Sequence, residues 1–85
     1  MNRPDILRDT AEIIRDVLDR PDLTVTENTT ADGIEAWDSF NHINIVVAVE
    51  AHFGIKFLTA EIEQLKNVGE LVSLVSAKLG LRDAR

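Results

Sequence analysis

Three serines and two histidines are the side chains of this 85-residue sequence best suited to covalent or proton-transfer chemistry at neutral pH. Cysteine is absent, which excludes disulfides, thiolate metal sites and a cysteine nucleophile. His42 and His52 stand ten positions apart on what reads as one helix. That spacing separates them by about 80° in azimuth and about 15 Å in height, too far to share a metal, and no metal site is expected. Ser39 and His42 are i,i+3 neighbours with Asp38 alongside, so a hydroxyl, an imidazole and a carboxylate are close in the chain. A hydrolase would also need an oxyanion hole and a substrate cleft, for which so small a chain has little room. No catalytic residue is assigned. Ser39 follows a long polar segment and opens an apolar one, which places it at the start of a helix. Asp38-Ser39 there serves as an ordinary helix cap. The same place suits a phosphodiester on the serine hydroxyl, because helix N-termini favour anions. Ser73 and Ser76 fall mid-helix.

The elements that must position Ser39 follow from periodicity. Residues 4–20 read as an amphipathic helix, with Ile6, Leu7, Ala11, Ile13, Ile14, Val17 and Leu18 within an arc of about 160°. Pro4 suits its first turn and Pro21 is expected to end it. Arg8–Glu12, Arg15–Asp19 and Asp16–Arg20 are expected i,i+4 pairs. Residues 21–38 show no helical period and read as a long loop, a length that often signals function. Leu23, Val25 and Ile34 are its expected anchors. Residues 39–53 form the second helix, with Asp38 or Ser39 as N-cap and Gly54 in the left-handed position after it. Phe40, Ile43, Val46, Val47, Val49 and Phe53 are expected to line one side. Asn41, Asn44, Ala48, Ala51 and His52 make a small, nearly uncharged opposite face. His42 reads as solvent-exposed, with donation to a phosphate as the alternative. Thr59 is expected to cap a short helix over about 60–66. Asn67 is expected to cap the last helix with Glu70 as its capping-box partner, Gly80-Leu81 to end it, and residues 81–85 to fray. The fold class is therefore all-α. It is one domain over residues 1–85 with its core in about 4–80: a small four-helix bundle of three longer helices and one short one, with a long loop between the first and second.

Charge narrows the function. The net charge of −6 argues against a nucleic-acid binder, which needs a basic footprint. No apolar run approaches the roughly 20 residues that span a bilayer. With no apolar signal stretch at its start, the chain reads as a cytoplasmic monomer. Residues 21–38 hold Asp22, Glu27, Asp32, Glu35 and Asp38 and no basic residue, so nearly all of the net charge lies in the loop before Ser39.

Gly33-Ile-Glu-Ala-Trp-Asp38-Ser39-Phe40 resembles the modification motif of the acyl carrier protein family, in which the serine accepts 4′-phosphopantetheine. Glu50-Ala-His-Phe53-Gly54-Ile55 is similar to that family's helix ending, and Thr59–Leu65 and Val68–Leu79 resemble its third and fourth helices. The resemblance covers about residues 5–80. It implies a carrier and not an enzyme. Ser39 would bear the arm, delivered from coenzyme A by a phosphopantetheinyl transferase, with Asp38 as motif and cap residue. The arm would hold an acyl thioester for acyl-loading and acyl-transferring enzymes. Glu35, Trp37, Phe40, Asn44, Ala48 and Ala51 are the expected partner contacts. Ile43, Val47, Phe57, Ile62, Leu65 and Leu71 are the expected lining of an acyl pocket, with an ordinary closed core as the alternative. The family is commonly acidic where Asn41, Asn44 and Ala51 stand, so its docking through this helix is expected to be weakly charged. Asp38 points to an acyl carrier of fatty-acid, polyketide or related specialised synthesis, and the acid-poor helix to a peptidyl or aminoacyl carrier. An unmodified helical interaction module is the competing class.

Overall fold

The computed structural model describes residues 2–83, and the side chains of residues 2–80. Its helices are α1 (Arg3–Leu18), α2 (Ser39–Phe53), α3 (Thr59–Glu63) and α4 (Val68–Asp83), with a single 3₁₀ turn at Ala31–Gly33 in the long loop. No strand occurs among the described residues. This is the expected all-α architecture.

Asn2 caps α1 by accepting the Asp5 N–H at 3.0 Å. The helix ends at Leu18, two residues earlier than expected. Asp19 takes the left-handed conformation at φ 55°, and Arg20 donates its N–H back to the Arg15 carbonyl, which closes the helix before Pro21. α1 packs against both α2 and α4. Ile6, Ile14, Ile45, Val49, Val72 and Val75 form the fully buried centre between them. Thr10 is also fully buried, with its hydroxyl unpartnered.

α2 keeps its expected bounds because both caps are local. Asp38 accepts the Asn41 N–H at 2.8 Å, and Gly54, at φ 68°, returns its N–H to Glu50 at 2.9 Å. Its expected apolar side is only partly correct. Ile45, Val46, Val49 and Phe53 face the core, whereas Phe40, Ile43 and Val47 are 74%, 52% and 56% exposed. α3 begins at Thr59, which is its first residue and not its cap, and stops at Glu63 rather than about 66. Glu61 accepts the Leu58 N–H at 2.7 Å and meets Lys78 of α4 at 2.9 Å. Asn67 caps α4 by accepting the Glu70 N–H at 2.8 Å, but Glu70 reaches back to the Lys66 N–H instead of that of Asn67. α4 does not stop at Gly80: that residue has no positive φ, no left-handed cap forms, and helical backbone continues through 81–83. Residues 84–85 of the expected tail lie outside the described residues.

The long loop is fastened along its first half. Arg15 Nε donates to the Leu23 carbonyl at 2.7 Å, and Arg3 grips Glu27 through two bonds of 2.8 and 2.7 Å. The Val68 and Gly69 N–H groups donate to the Thr29 and Glu27 carbonyls at 2.9 and 2.8 Å. Val25 and Trp37 enter the core, with Leu23 and Ile34 packed against it as expected. The three expected i,i+4 pairs give way to Arg8 with Asp5 and Asp9, Arg15 with the Leu23 carbonyl, and Arg20 with Asp22. No helix among the described residues is long and apolar enough to cross a membrane.

Candidate functional site

Ser39 is the first residue of α2 and its side chain is exposed. Asp38 supplies the cap, so the choice left open by the sequence falls to Asp38 and the serine hydroxyl is free of a structural task. Two local hydrogen bonds shape the approach to Ser39. Asn41 Nδ2 donates to the Ala36 carbonyl at 2.8 Å, and Trp37 Nε1 donates to His42 Nδ1 at 3.1 Å. The Trp37 and His42 rings lie nearly parallel, at 30°, with centroids 6.1 Å apart. His42 is therefore a half-buried partner of Trp37 rather than the solvent-exposed residue expected. Trp37 is buried, so its ring anchors the loop and walls the site instead of offering an exposed partner contact.

A cleft of about 570 Å³ opens beside Ser39, between the 3₁₀ turn, the start of α2 and α3. Trp37, Ile43, Ile62 and Leu65 supply apolar wall, and Asp32, Asp38 and Glu63 supply carboxylates. Three of the six expected pocket residues, Ile43, Ile62 and Leu65, are on this cleft. Phe57 and Leu71 fill the closed core instead, and Val47 stands outside on the exposed side of α2. Another cleft, of about 680 Å³, is walled by residues such as Arg3, Glu27 and Ser73 and does not include Ser39.

The other expected contacts are divided by exposure. Glu35, Phe40, Asn44 and Ala51 are exposed, and Ala48 is half-buried. At 100° per residue Phe40, Ile43 and Val47 share an arc of about 60°, an apolar ridge starting beside Ser39. The loop's acids also separate into two groups. Arg20 holds Asp22 and Arg3 holds Glu27, and the hydrogen bond from each arginine keeps its partner carboxyl below the usual carboxylate range. Asp32, Glu35 and Asp38 meet no cation among the described residues, and neither does Glu63. The site thus presents a free hydroxyl at a helix N-terminus, an apolar recess and a rim of uncompensated negative charge.

The chain matches the family model described as "Phosphopantetheine attachment site" over residues 8–75. It is 32% identical over 85 residues to the acyl carrier protein of Petrotoga mobilis, covering 98% of each chain. To the acyl carrier protein of Thermotoga maritima it is 30% identical over 79 residues, covering 93% of this chain and 98% of that one. Its fold is similar to the solution structure of a holo acyl carrier protein from Geobacter metallireducens, with a TM-score of 0.83 and 42% identity over 89% of this chain and 87% of that one.

Proposed function

Because the chain belongs to the acyl carrier protein family, we propose that Ser39 bears its 4′-phosphopantetheine arm and that the adjoining cleft shelters the cargo. The protein is a carrier and not an enzyme, and its phosphopantetheine is covalently attached. That group supplies the terminal thiol which a cysteine-free chain lacks, and the thiol holds an acyl group as a thioester. The residues present fit it. The observation that carries the reading is the division of labour at the start of α2: Asp38 caps, and the Ser39 hydroxyl stays exposed and unengaged by any described residue.

Trp37, Ile43, Ile62 and Leu65 favour an acyl chain over a peptidyl or aminoacyl cargo, because each buried CH₂ contributes about 0.8 kcal/mol. Fatty-acid, polyketide and related specialised synthesis all use such cargo. Its partners are a phosphopantetheinyl transferase and biosynthetic enzymes that load and remove the acyl group. They meet an acidic corner first and the apolar ridge of Phe40, Ile43 and Val47 next. Charge speeds the encounter, and desolvated apolar contact lengthens it.

The test is incubation with coenzyme A, Mg²⁺ and a promiscuous transferase, followed by intact mass. Wild type should gain one phosphopantetheine, as should Ser73→Ala and Ser76→Ala, while Ser39→Ala should gain none. A wild-type chain that stays unmodified would leave the unmodified interaction module as the reading.

A further inference from the structure

The cleft beside Ser39 is rich in acceptors and poor in donors. Asp32, Asp38 and Glu63 offer carboxylate oxygens alone. The two lining side chains with an N–H are Trp37 and His42, and the indole N–H is already given to His42 Nδ1 at 3.1 Å. That bond decides the imidazole tautomer. An Nδ1 that accepts carries no proton, so the neutral ring holds its N–H on Nε2. Nε2 has no hydrogen-bond partner among the described residues. Lys66 faces the same pair of rings from another side, across a void of about 20 Å³, and is not on the Ser39 cleft.

A phosphodiester on Ser39 Oγ places a further negative charge beside these carboxylates and requires donors. The first turn of α2 offers backbone N–H groups, but that of Asn41 is already held by Asp38. His42 is one helical turn from Ser39, on the same cleft. We infer that His42 Nε2–H is the side-chain donor to the phosphodiester of the arm, and that Trp37 is the positioning residue that sets the tautomer and angle of its ring. The inference rests on Ser39 being the attachment site. Protonation of His42 puts a second N–H on the ring at Nδ1, which then cannot accept from Trp37. The cationic ring turns toward its anions: Asp32, Asp38, Glu63 and the phosphodiester.

The experiment uses the loaded protein, with loading at Ser39 first verified by mass. The ³¹P resonance of the phosphodiester is followed against pH together with the ring protons of both histidines. A phosphodiester has no titration of its own near neutral pH, so any movement there reports a neighbour. The phosphorus should move with the midpoint of His42 and ignore that of His52, which sits at the other end of α2 against Asp9. His42→Leu should abolish the movement and displace the neutral-pH resonance. His42→Gln can accept from Trp37 through Oε1 and donate through Nε2. It should abolish the titration yet keep the phosphorus near its wild-type neutral-pH position. A fully loaded wild type whose phosphorus stays flat, or a resonance unmoved by His42→Leu, would overturn the role of His42 and leave the attachment intact. Failure to load at Ser39 would overturn both.

Discussion

The surface where α1, α4 and the first half of the long loop meet is braced by bonds between distant parts of the chain, and the corner around Ser39, whose bonds are all local, is not. On the braced side Arg3 makes hydrogen bonds to Glu27, to Ser73 Oγ at 2.9 Å and to the Gly69 carbonyl at 3.0 Å, while two backbone bonds pin the loop to α4. Around Ser39 the acids meet no cation among the described residues, and Phe40, Ile43 and Val47 face solvent. Both regions hold carboxylates, but only the first holds an arginine to pair with them. The difference is that one satisfies its groups internally, whereas the other keeps charge and apolar area available for another molecule. On the proposed function, stability and recognition are thereby separated in a chain too small to have two cores.

The comparison is broken most severely at the braced side's closest approach. An alanine Cβ at Gly69 would lie 2.9 Å from the Glu27 carbonyl oxygen, which is backbone and cannot swing aside. Overpacking of that kind costs about 1–3 kcal/mol and helix propensity returns at most about 1, so Gly69→Ala should destabilise by about 1–2 kcal/mol in urea unfolding. At Gly80, where nothing lies within 4 Å, the same substitution should instead stabilise by up to about 1 kcal/mol.

The unbraced side is sharpened by its charges. Asp32→Asn with Glu35→Gln should slow association with a phosphopantetheinyl transferase about tenfold at low salt and flatten the salt dependence. Asp22→Asn, whose carboxylate Arg20 already holds, should change the on-rate little. Stopped-flow rates at two ionic strengths distinguish the two.

Between these lies the cap. Asp38→Ala removes the acceptor for the Asn41 N–H and should cost about 1 kcal/mol of stability. Ser39→Ala removes no such bond and should cost no more than a few tenths, as for other surface substitutions. Equal losses in the two variants would mean that the serine shares the cap.

The smallest effect concerns Asp9, which joins α1 to α2 through His52 at 3.1 Å. The hydrogen bond from His52, followed by that from Arg8, holds the Asp9 carboxyl below its ordinary range. A carboxyl lowered in the folded state contributes stability above its unfolded value, near pH 4, and that contribution is lost as pH falls through the folded value. Asp9→Asn should therefore cost no more than about 1 kcal/mol at neutral pH, as for other partly exposed pairs. The gap from wild type should close in acid, as measured by denaturation at a series of pH values.

What the sequence made legible follows the range of each interaction. The caps of α2 act within a turn, so Gly54 was readable and the N-cap was narrowed to Asp38 or Ser39. The inward face of α2 was not readable, because apolar residues flank its Asn41, Asn44 and His52 stripe on both sides: a period that accepts Phe40, Ile43 and Val47 as readily as Ile45 and Val49 cannot choose a side. Arg15 follows an i,i+4 pattern toward Asp19 in sequence, yet the turn at Asp19 brings the Leu23 carbonyl within its reach. Nothing local marks Gly69, whose constraint comes from the loop carbonyl of Glu27 lying across it. At the site, the motif drew attention to Asp38 and Ser39, which the structure sets at the start of α2. The Trp37–His42 bond was missed, although i,i+5 residues across a helix start, one a donor and one an acceptor, gave a usable signal.

The most direct measurement is fragmentation mass spectrometry of the intact, transferase-loaded chain, which locates the added phosphopantetheine along the sequence. Fragments that begin to carry the added mass at Ser39, with none of it ending at Ser73 or Ser76, are the expected result. Added mass at either of those serines, or a chain that takes up none, would contradict the assignment of the unbraced corner as the carrier site.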